Sequence, residues 1–253
     1  MKFNKLLVFI AVFFTATLFS QSNKVYRAER DKVHNLVHTK LKVDFNFQEK
    51  EMNGEEWVTL TPHFYETDKV TLDAKAMVIH KVTMNNQPLE YNYDDYELII
   101  NLPRTYKRNE EFTLYIKYTA RPERVKQKGS AAITSAKGLY FINPTGFDKN
   151  KPTQIWTQGE TEASSCWFPT IDAPNQKTSQ EIYITVPQKY VTLSNGKLEK
   201  QTTNTNGTRT DYWNFTQKHA PYLFFMGVGE YEVIKDTYKD IPVDYYVEKE
   251  YAP

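Results

Sequence analysis

The stretch from Trp156 to Lys177 carries the densest set of side chains that could bind a charged ligand. It reads W-T-Q-G-E-T-E-A-S-S-C-W-F-P-T-I-D-A-P-N-Q-K, and its period is irregular, as that of functional loops often is. Within it, the amide of Gln158 lies two residues before the carboxylate of Glu160. Such a pair could hold a cation or an amine through charge-assisted hydrogen bonds. A solvated loop pinned by aromatic packing would explain the same residues.

Two histidines, His34 and His38, have the i, i+4 spacing of an H-E-x-x-H zinc helix, but Asn35 stands where the glutamate would be. Asparagine cannot act as a general base. The alternation that begins at Leu36 predicts a strand instead, in which four residues span roughly 13 Å. Two ligands that each lie about 2 Å from one ion cannot be so far apart. We therefore predict no metal site and no catalytic residues in this chain.

Other arrangements typical of active sites are missing from the sequence. It contains no G-x-S-x-G motif and no glycine-rich phosphate loop. Cys166 has no basic neighbour, which favours a small buried hydrophobe over a nucleophile. A single cysteine also excludes an intrachain disulfide and a cysteine-based metal cluster.

Composition and charge narrow the class of protein. The 253 residues carry a formal charge of +1, so we expect neither a nucleic-acid partner nor attraction to an anionic membrane. Aromatic residues make up 15% of the chain, which predicts a packed core rather than disorder. The length suits one large all-β domain or two small domains.

Alternating apolar residues and turn signals recur about every ten residues, which predicts an all-β fold with an antiparallel sheet or sandwich. Asn53-Gly54 and Asn85-Asn86 are typical of hairpin turns. The segment 119–157 is predicted to be loop-rich, and one or two further strands are expected in 231–253. The predicted strands begin at Leu36 and include 55–65, 70–72, 77–84, 98–102, 112–118, 139–142, 181–186, 191–193, 209–215 and 222–226.

The N-terminus has the layout of a secretory signal peptide. Lys2 and Lys5 precede an apolar run of 14 residues from Leu6 to Phe19. A transmembrane helix needs about 20 residues, although an uncleaved N-terminal anchor is the alternative. We expect cleavage after Ser20, export to the periplasm or the extracellular space, and no stable membrane insertion afterwards.

A series of short motifs follows a fixed order through about 200 residues. Gln158-Gly159-Glu160 fits Q-x-E, and 168–177 fits F-P-x-x-D-x-P-x-x-K, but Ser165-Cys166-Trp167 replaces a usual A-R pair. Residues 186–198 fit V-P-x-x-Y-x-x-L-S-N-G-x-L, and shorter matches lie at 72–74, 138–141, 220–224 and 229–231. The chain thus resembles the N-terminal domain of the aminopeptidase N family of zinc metallopeptidases, the gluzincin aminopeptidases.

The resemblance implies a saddle-shaped, antiparallel β-sandwich-like domain that packs against a thermolysin-like catalytic domain. It implies that Glu160 helps to bind the free α-amine of a peptide substrate and that Gln158 lines the pocket for the first side chain. Peptide N-termini and the parent's catalytic domain are then the expected partners. Zinc would be bound by the full-length parent, because this chain lacks the family's G-A-M-E-N and H-E-x-x-H motifs.

Two functions follow from these observations. The first is the N-terminal substrate-binding domain of an exported zinc metalloaminopeptidase, present as an inactive fragment. Its expected parts are a signal peptide at 1–20, the β domain at 21–232 and the first strands of a truncated catalytic domain at 233–253. The alternative is a stand-alone, non-catalytic β-sandwich module that binds peptides or proteins.

We predict that the mature chain starts at about residue 21, because the charged segment and the short apolar run together specify export and cleavage. N-terminal sequencing of the chain recovered outside the cytoplasm measures this. Recovery of Met1 to Phe19 in a membrane-extracted mature protein would indicate an anchor instead.

Overall fold

The structure, a computed structural model, describes residues 30–126 and 135–253, and the predicted signal peptide lies outside them. The described strands all lie in the compact unit Lys32–Pro253. In the described residues, no helix is long and apolar enough to cross a membrane. The strands are β1 (His34–Asn46), β2 (Glu51–Pro62), β3 (Thr67–Asp73), β4 (Met77–Met84), β5 (Gln87–Pro88), β6 (Tyr91–Tyr93), β7 (Glu97–Tyr106), β8 (Phe112–Ala120), β9 (Leu139–Ile142), β10 (Gln154–Thr157), β11 (Thr178–Pro187), β12 (Val191–Ser194), β13 (Lys197–Thr203), β14 (Thr208–His219), β15 (Met226–Gly229), β16 (Tyr231–Tyr238) and β17 (Ile241–Glu248).

These strands form four sheets, and the predicted all-β class is confirmed. The largest sheet has the order β13-β14-β11-β1-β2-β8-β4-β5, and a four-stranded sheet has the order β12-β15-β10-β9. A three-stranded sheet, β3-β7-β6, and the hairpin β16-β17 complete the described part. Neighbouring strands pair antiparallel except β1 and β11, which run parallel, with Leu41 opposite Ile182.

One apolar core joins the inner face of the eight-stranded sheet to the two smaller sheets. Full burial of an aliphatic side chain contributes about 1.5–3 kcal/mol, so this shared core holds the sheets together. The eight-stranded sheet contributes Leu41, Val58, Ile116 and Ile182, the three-stranded sheet contributes Val70 and Ile100, and the four-stranded sheet contributes Phe141, Ile155 and Val228.

The β1–β2 hairpin corrects one prediction. Asn53 and Gly54 are not a turn, because both lie inside β2 and pair with Asp44 and Val43 of β1. The turn falls at residues 47–50. A Cβ at position 54 would lie 2.2 Å from Cζ of Tyr118, so the glycine makes room for a ring. The predicted Asn85-Asn86 turn is confirmed, and both residues have positive φ, 49° and 64°.

The predicted strand at 222–226 is wrong in most of its length. Pro221–Leu223 forms a 3₁₀ turn, and β15 begins only at Met226. The side chain of Asn195 accepts a hydrogen bond from Phe225 N–H at 2.6 Å and donates one to Leu223 O at 3.0 Å. Because one side chain satisfies these backbone groups, the segment needs no partner strand at this point.

Four strands were not predicted, namely β5, β6, β10 and β13. The strands β5 and β6 are only two and three residues long and are mostly exposed. The short strand β10 lies within the segment predicted to be loop-rich. The strand β13 lies at a sheet edge and its residues are mostly exposed, so it lacks the apolar alternation that marks half-buried strands. The segment 231–253 was expected to hold one or two strands, and it contains two, β16 and β17.

Glu56 places a carboxylic acid in the core. It is 0% exposed, and it lies between Leu41 and Ile116 on the neighbouring strands. Neither of its side-chain oxygens has a hydrogen-bond partner among the described residues, and the buried hydroxyl of Tyr118 also lacks one. Burial raises the pKa of Glu56 well above its ordinary value of 4.5, which favours the neutral acid in the folded chain.

We predict that Glu56 makes folding less favourable as the pH rises. An acid whose pKa is raised by folding contributes stability that is fully present below the unfolded value, 4.5 for Glu56, and is lost as the pH rises through the folded pKa. One such proton has a limiting slope of about 1.4 kcal/mol per pH unit. Urea unfolding between about pH 5 and 8 should show a shallower fall for Glu56→Gln than for the wild type.

The matched control is Glu55→Gln, because Glu55 is the adjacent residue on the partly exposed face and accepts a hydrogen bond from Tyr115. This variant keeps the buried carboxyl of Glu56, so stability should still fall as the pH rises. Identical pH profiles for the wild type and Glu56→Gln would show that Glu56 is ionised in the folded chain.

Candidate functional site

Gln158 and Glu160 lie in one closed turn of residues 158–163 (the 158–163 turn), which follows β10. The N–H of Gln158 donates to Gly138 O at 2.9 Å, which carries the ladder between β9 and β10 one residue further. Gln158 Oε1 accepts the N–H of Glu160 at 2.9 Å, and Ala163 N–H donates to Gly159 O at 2.9 Å. The peptide bond between Glu160 and Thr161 is cis. The structure thus brings together the two residues that the sequence singled out.

Gly159 lets the turn press against the segment before β15. A Cβ there would lie 2.4 Å from Ser164 Oγ and 2.4 Å from the backbone oxygen of Tyr222. Ser164 Oγ in turn donates to Pro221 O at 2.9 Å. The backbone of the turn therefore has a fixed support on this side.

The polar ends of the two predicted site residues remain available to a ligand. Glu160 is exposed, and within the described residues its carboxylate makes no hydrogen bond or ion pair. Gln158 uses its amide oxygen inside the turn, so its NH₂ group remains as a donor. Glu162 is also exposed. A carboxylate beside an amide can accept hydrogen bonds from an ammonium group and orient the atoms that flank it.

A buried acid supports the loop behind the turn. Both the N–H and the hydroxyl of Ser165 donate to Asp172 Oδ2, at 2.8 and 2.9 Å. The N–H of Asp172 donates to Asp73 Oδ2 at 2.8 Å. Burial is the largest cause that raises the pKa of Asp172 to about 6. Ser165, which stands in the stretch where the family pattern has an A-R pair, is thus a hydrogen-bond partner of this acid.

The end of β3 and the residue Lys75 shortly after it form hydrogen bonds with the same loop. Asp73 and Thr170 exchange two backbone hydrogen bonds, at 2.6 and 3.0 Å. Lys75 N–H donates to Ser165 O at 2.7 Å, and Lys75 Nζ donates to Glu162 O at 2.7 Å. Lys75 and Glu162 are 87 residues apart in the sequence, so no pattern within the loop itself indicates this contact. The nearest sequence signal was the L-D-A match at 72–74.

Aromatic packing anchors the remainder of the loop. Trp167 and Phe168 are both 0% exposed, and Phe168 stacks on Phe224 with ring centroids 5.0 Å apart. Cys166 is also 0% exposed, and burial raises the pKa of its thiol to about 12. The prediction that Cys166 is a small buried hydrophobe is confirmed. The loop therefore combines a buried apolar half with an exposed polar turn.

The two histidines of the sequence pair lie in different surroundings. The pairing of β1 with β2 shifts register between Leu36 and His38, so the residues that face inward change parity there. His34 is buried edge-on to Phe112, whereas His38 Nδ1 lies 2.8 Å from Ser179 Oγ. In residues 30–126 and 135–253, no group of three or more His, Cys, Asp or Glu is arranged to hold a metal ion. The described residues thus do not fit a zinc site.

Residues 34–223 match the family model described as the Peptidase M1 N-terminal domain. Because this match covers most of the chain, the chain belongs to the M1 peptidase family and contains its N-terminal domain. The resemblance drawn from the ordered motifs is confirmed.

Three relatives illustrate the likeness. The chain is 25% identical over 205 residues to Probable aminopeptidase 1 of Saccharolobus solfataricus. This alignment covers 81% of this chain and 23% of that protein. The chain is also 22% identical over 242 residues to transcription initiation factor TFIID subunit 2 of Danio rerio. This alignment covers 83% of this chain and 20% of that protein. The fold also matches the crystal structure of an M1 zinc metallopeptidase mutant from Deinococcus radiodurans bound to a Tyr-Ser-Ala substrate, with a TM-score of 0.71. The two sequences are 16% identical, and the match covers 87% of this chain and 48% of that chain. The chain thus spans less than a quarter of these curated relatives and about half of the solved structure.

We predict that Gly159→Ala destabilises the chain by about 1–3 kcal/mol, the usual cost of an overpacked site. The added methyl group would lie 2.4 Å from the backbone oxygen of Tyr222, which cannot rotate away. Gly227→Ala is the control, because its nearest contact is a ring carbon of Phe225 at 3.3 Å. Chemical unfolding measures both variants, and an equal, small effect in the two would contradict the tight fit at position 159.

Proposed function

We propose that this chain is the substrate-binding N-terminal domain of an exported zinc metalloaminopeptidase, which removes N-terminal residues from peptides. In this proposal, the carboxylate of Glu160 binds the α-ammonium group of the substrate, and Gln158 lines the pocket for the first side chain. The observation that carries the proposal is the 158–163 turn. It holds an exposed, unpaired Glu160 beside the Gln158 amide, at the positions of the family's Q-x-E motif.

The chemistry of Glu160 suits an exopeptidase. Such an enzyme must distinguish a free amine from a peptide amide. A fixed carboxylate accepts charge-assisted hydrogen bonds from an ammonium group, whereas a blocked terminus offers no charge and leaves the carboxylate unpaired. The Deinococcus radiodurans relative with its bound Tyr-Ser-Ala substrate supports a peptide as the ligand class.

The catalytic domain, in this proposal, begins within 233–253. The hairpin β16–β17 forms a two-stranded sheet on its own in the described part, and it exposes Tyr238, Ile241 and Tyr245. A lone hairpin is marginally stable in water, so these side chains favour a further packing partner. Zinc would be held in that catalytic domain, where it would supply a Lewis acid and an activated water.

A second candidate function is a stand-alone, non-catalytic module that binds peptides or proteins. The likeness to a transcription initiation factor subunit favours it, because that relative is not named as a peptidase. The coding sequence downstream of Pro253 distinguishes the two candidates. An in-frame H-E-x-x-H segment supports the aminopeptidase, and a stop codon directly after Pro253 supports the module.

We predict that Glu160→Ala in the full-length enzyme lowers kcat/KM for an aminoacyl substrate by roughly 10²- to 10³-fold. Loss of one partner of a desolvated charge pair costs roughly 3–5 kcal/mol, and about 1.4 kcal/mol corresponds to a factor of ten. Steady-state kinetics on one substrate, with zinc content checked, measures this change.

Glu162→Ala is the matched control, because Glu162 is a second glutamate in the same turn and is also exposed. It should change kcat/KM much less, since it lies two residues after the Q-x-E glutamate. If Glu160→Ala retains activity within about threefold of the wild type, the carboxylate does not bind the substrate amine and the loop is structural.

A further inference from the structure

The carboxylate of Glu160 makes no hydrogen bond or ion pair among the described residues, so its position depends on the backbone of the 158–163 turn. Two of the hydrogen bonds that close this turn are local, from Glu160 N–H to Gln158 Oε1 and from Ala163 N–H to Gly159 O. The other arrives from a distant part of the chain, from Lys75 Nζ to the carbonyl oxygen of Glu162 at 2.7 Å. This carbonyl lies two residues beyond Glu160, on the far side of the turn.

Lys75 is itself well placed to act as a support. It follows β3, whose last residue, Asp73, is bridged to Thr170, and its own N–H donates to Ser165 O at 2.7 Å. Its backbone is thus hydrogen-bonded to Ser165, while its ammonium group binds the 158–163 turn at Glu162. A hydrogen bond from a charged donor is stronger than one between neutral groups. Lys75 therefore joins the two ends of the segment from Glu162 to Ser165.

We propose that Lys75 is a positioning residue for the substrate amine site, which holds the 158–163 turn so that Glu160 is presented in one orientation. Lys75 touches no substrate, and it acts through the backbone of Glu162. The proposal rests on the proposed function for its consequence in binding, but its structural part stands on the contacts of this chain alone. It assigns a role to a residue that lies outside the Q-x-E motif and outside the loop that follows it.

The structural part can be measured in the 253-residue chain by hydrogen–deuterium exchange. The amides of Glu160 and Ala163 are the reporters, because both donate hydrogen bonds inside the turn. Lys75→Met keeps the aliphatic stem and removes the donor, and we expect exchange at these amides to become roughly tenfold faster, or more. Lys75→Arg should restore protection, since it keeps a charged donor.

Lys81→Met is the matched control, because Lys81 is an exposed lysine of β4, the next strand along the chain. It should leave the reporters unchanged, and amides of β1 and β2 should stay protected in every variant. Unchanged exchange at Glu160 and Ala163 in Lys75→Met would overturn the proposal.

The consequence for binding is measured in the full-length enzyme by a double-mutant cycle. Lys75→Met should raise KM for a free-amine substrate roughly tenfold and change kcat much less, and Lys75→Arg should recover most of the loss. Added to Glu160→Ala, Lys75→Met should change kcat/KM by less than about threefold, because its effect passes through Glu160.

The outcomes distinguish the positioning role of Lys75 from the proposed function of Glu160. A general structural role would lower kcat/KM equally in the wild-type and Glu160→Ala backgrounds, and this result overturns the positioning role. If Glu160→Ala by itself leaves kcat/KM unchanged, the proposed function fails and the binding role of Lys75 fails with it. The exchange experiment then still decides whether Lys75 holds the turn.

Discussion

The two backbone hydrogen bonds between Asp73 and Thr170 connect the functional loop to the rest of the domain. They extend the end of β3 by an isolated antiparallel bridge, and they bring Lys75 within reach of the loop. The carboxylate of Asp73 also accepts the N–H of Asp172. The loop between β10 and β11 has no regular strand pairing of its own, so it takes its shape from this connection. A surface turn that presents a charged ligand group needs such a support, because an unsupported loop would lose its orientation.

Gln176 fixes the other end of the loop. Its side-chain amide is buried, donates to His34 O at 2.8 Å and accepts the N–H of Leu36 at 3.0 Å. The amide thus satisfies the backbone of β1 at the point just before β11 pairs with it in parallel. Since a parallel pair needs a long crossover connection, the segment from β2 to β10 can be inserted between β1 and β11 without breaking the sheet. The loop leaves the four-stranded sheet at β10 and enters the eight-stranded sheet at β11, so it links two sheets of the core.

The acids of the loop differ in what their surroundings allow. Asp172 is buried, its Oδ2 is occupied by Ser165, and burial raises its pKa to about 6. Such a group supports the backbone and has little access to a ligand. Glu160 and Glu162 are exposed, but only Glu160 follows the Gln158 amide, which holds its N–H. Burial and hydrogen bonding, rather than residue type, therefore divide these acids into a supporting group and ligand-binding candidates.

Local signals in the sequence determined most of the strands and the position of the candidate residues. Alternation from Leu36 predicts β1, Asn85-Asn86 predicts a turn because asparagine tolerates positive φ, and the order of short motifs indicates the family. Gln158 and Glu160 are two residues apart, so their proximity follows from the chain itself. The tertiary structure alone decided the features that depend on distant contacts. Gly54 lies inside a strand, where it makes room for the Tyr118 ring, and the Glu162 carbonyl is bound by Lys75 from 87 residues away. A pattern along the chain reports which face of a strand is buried, but not which distant side chain will meet it there, because that partner is set by how the sheets pack.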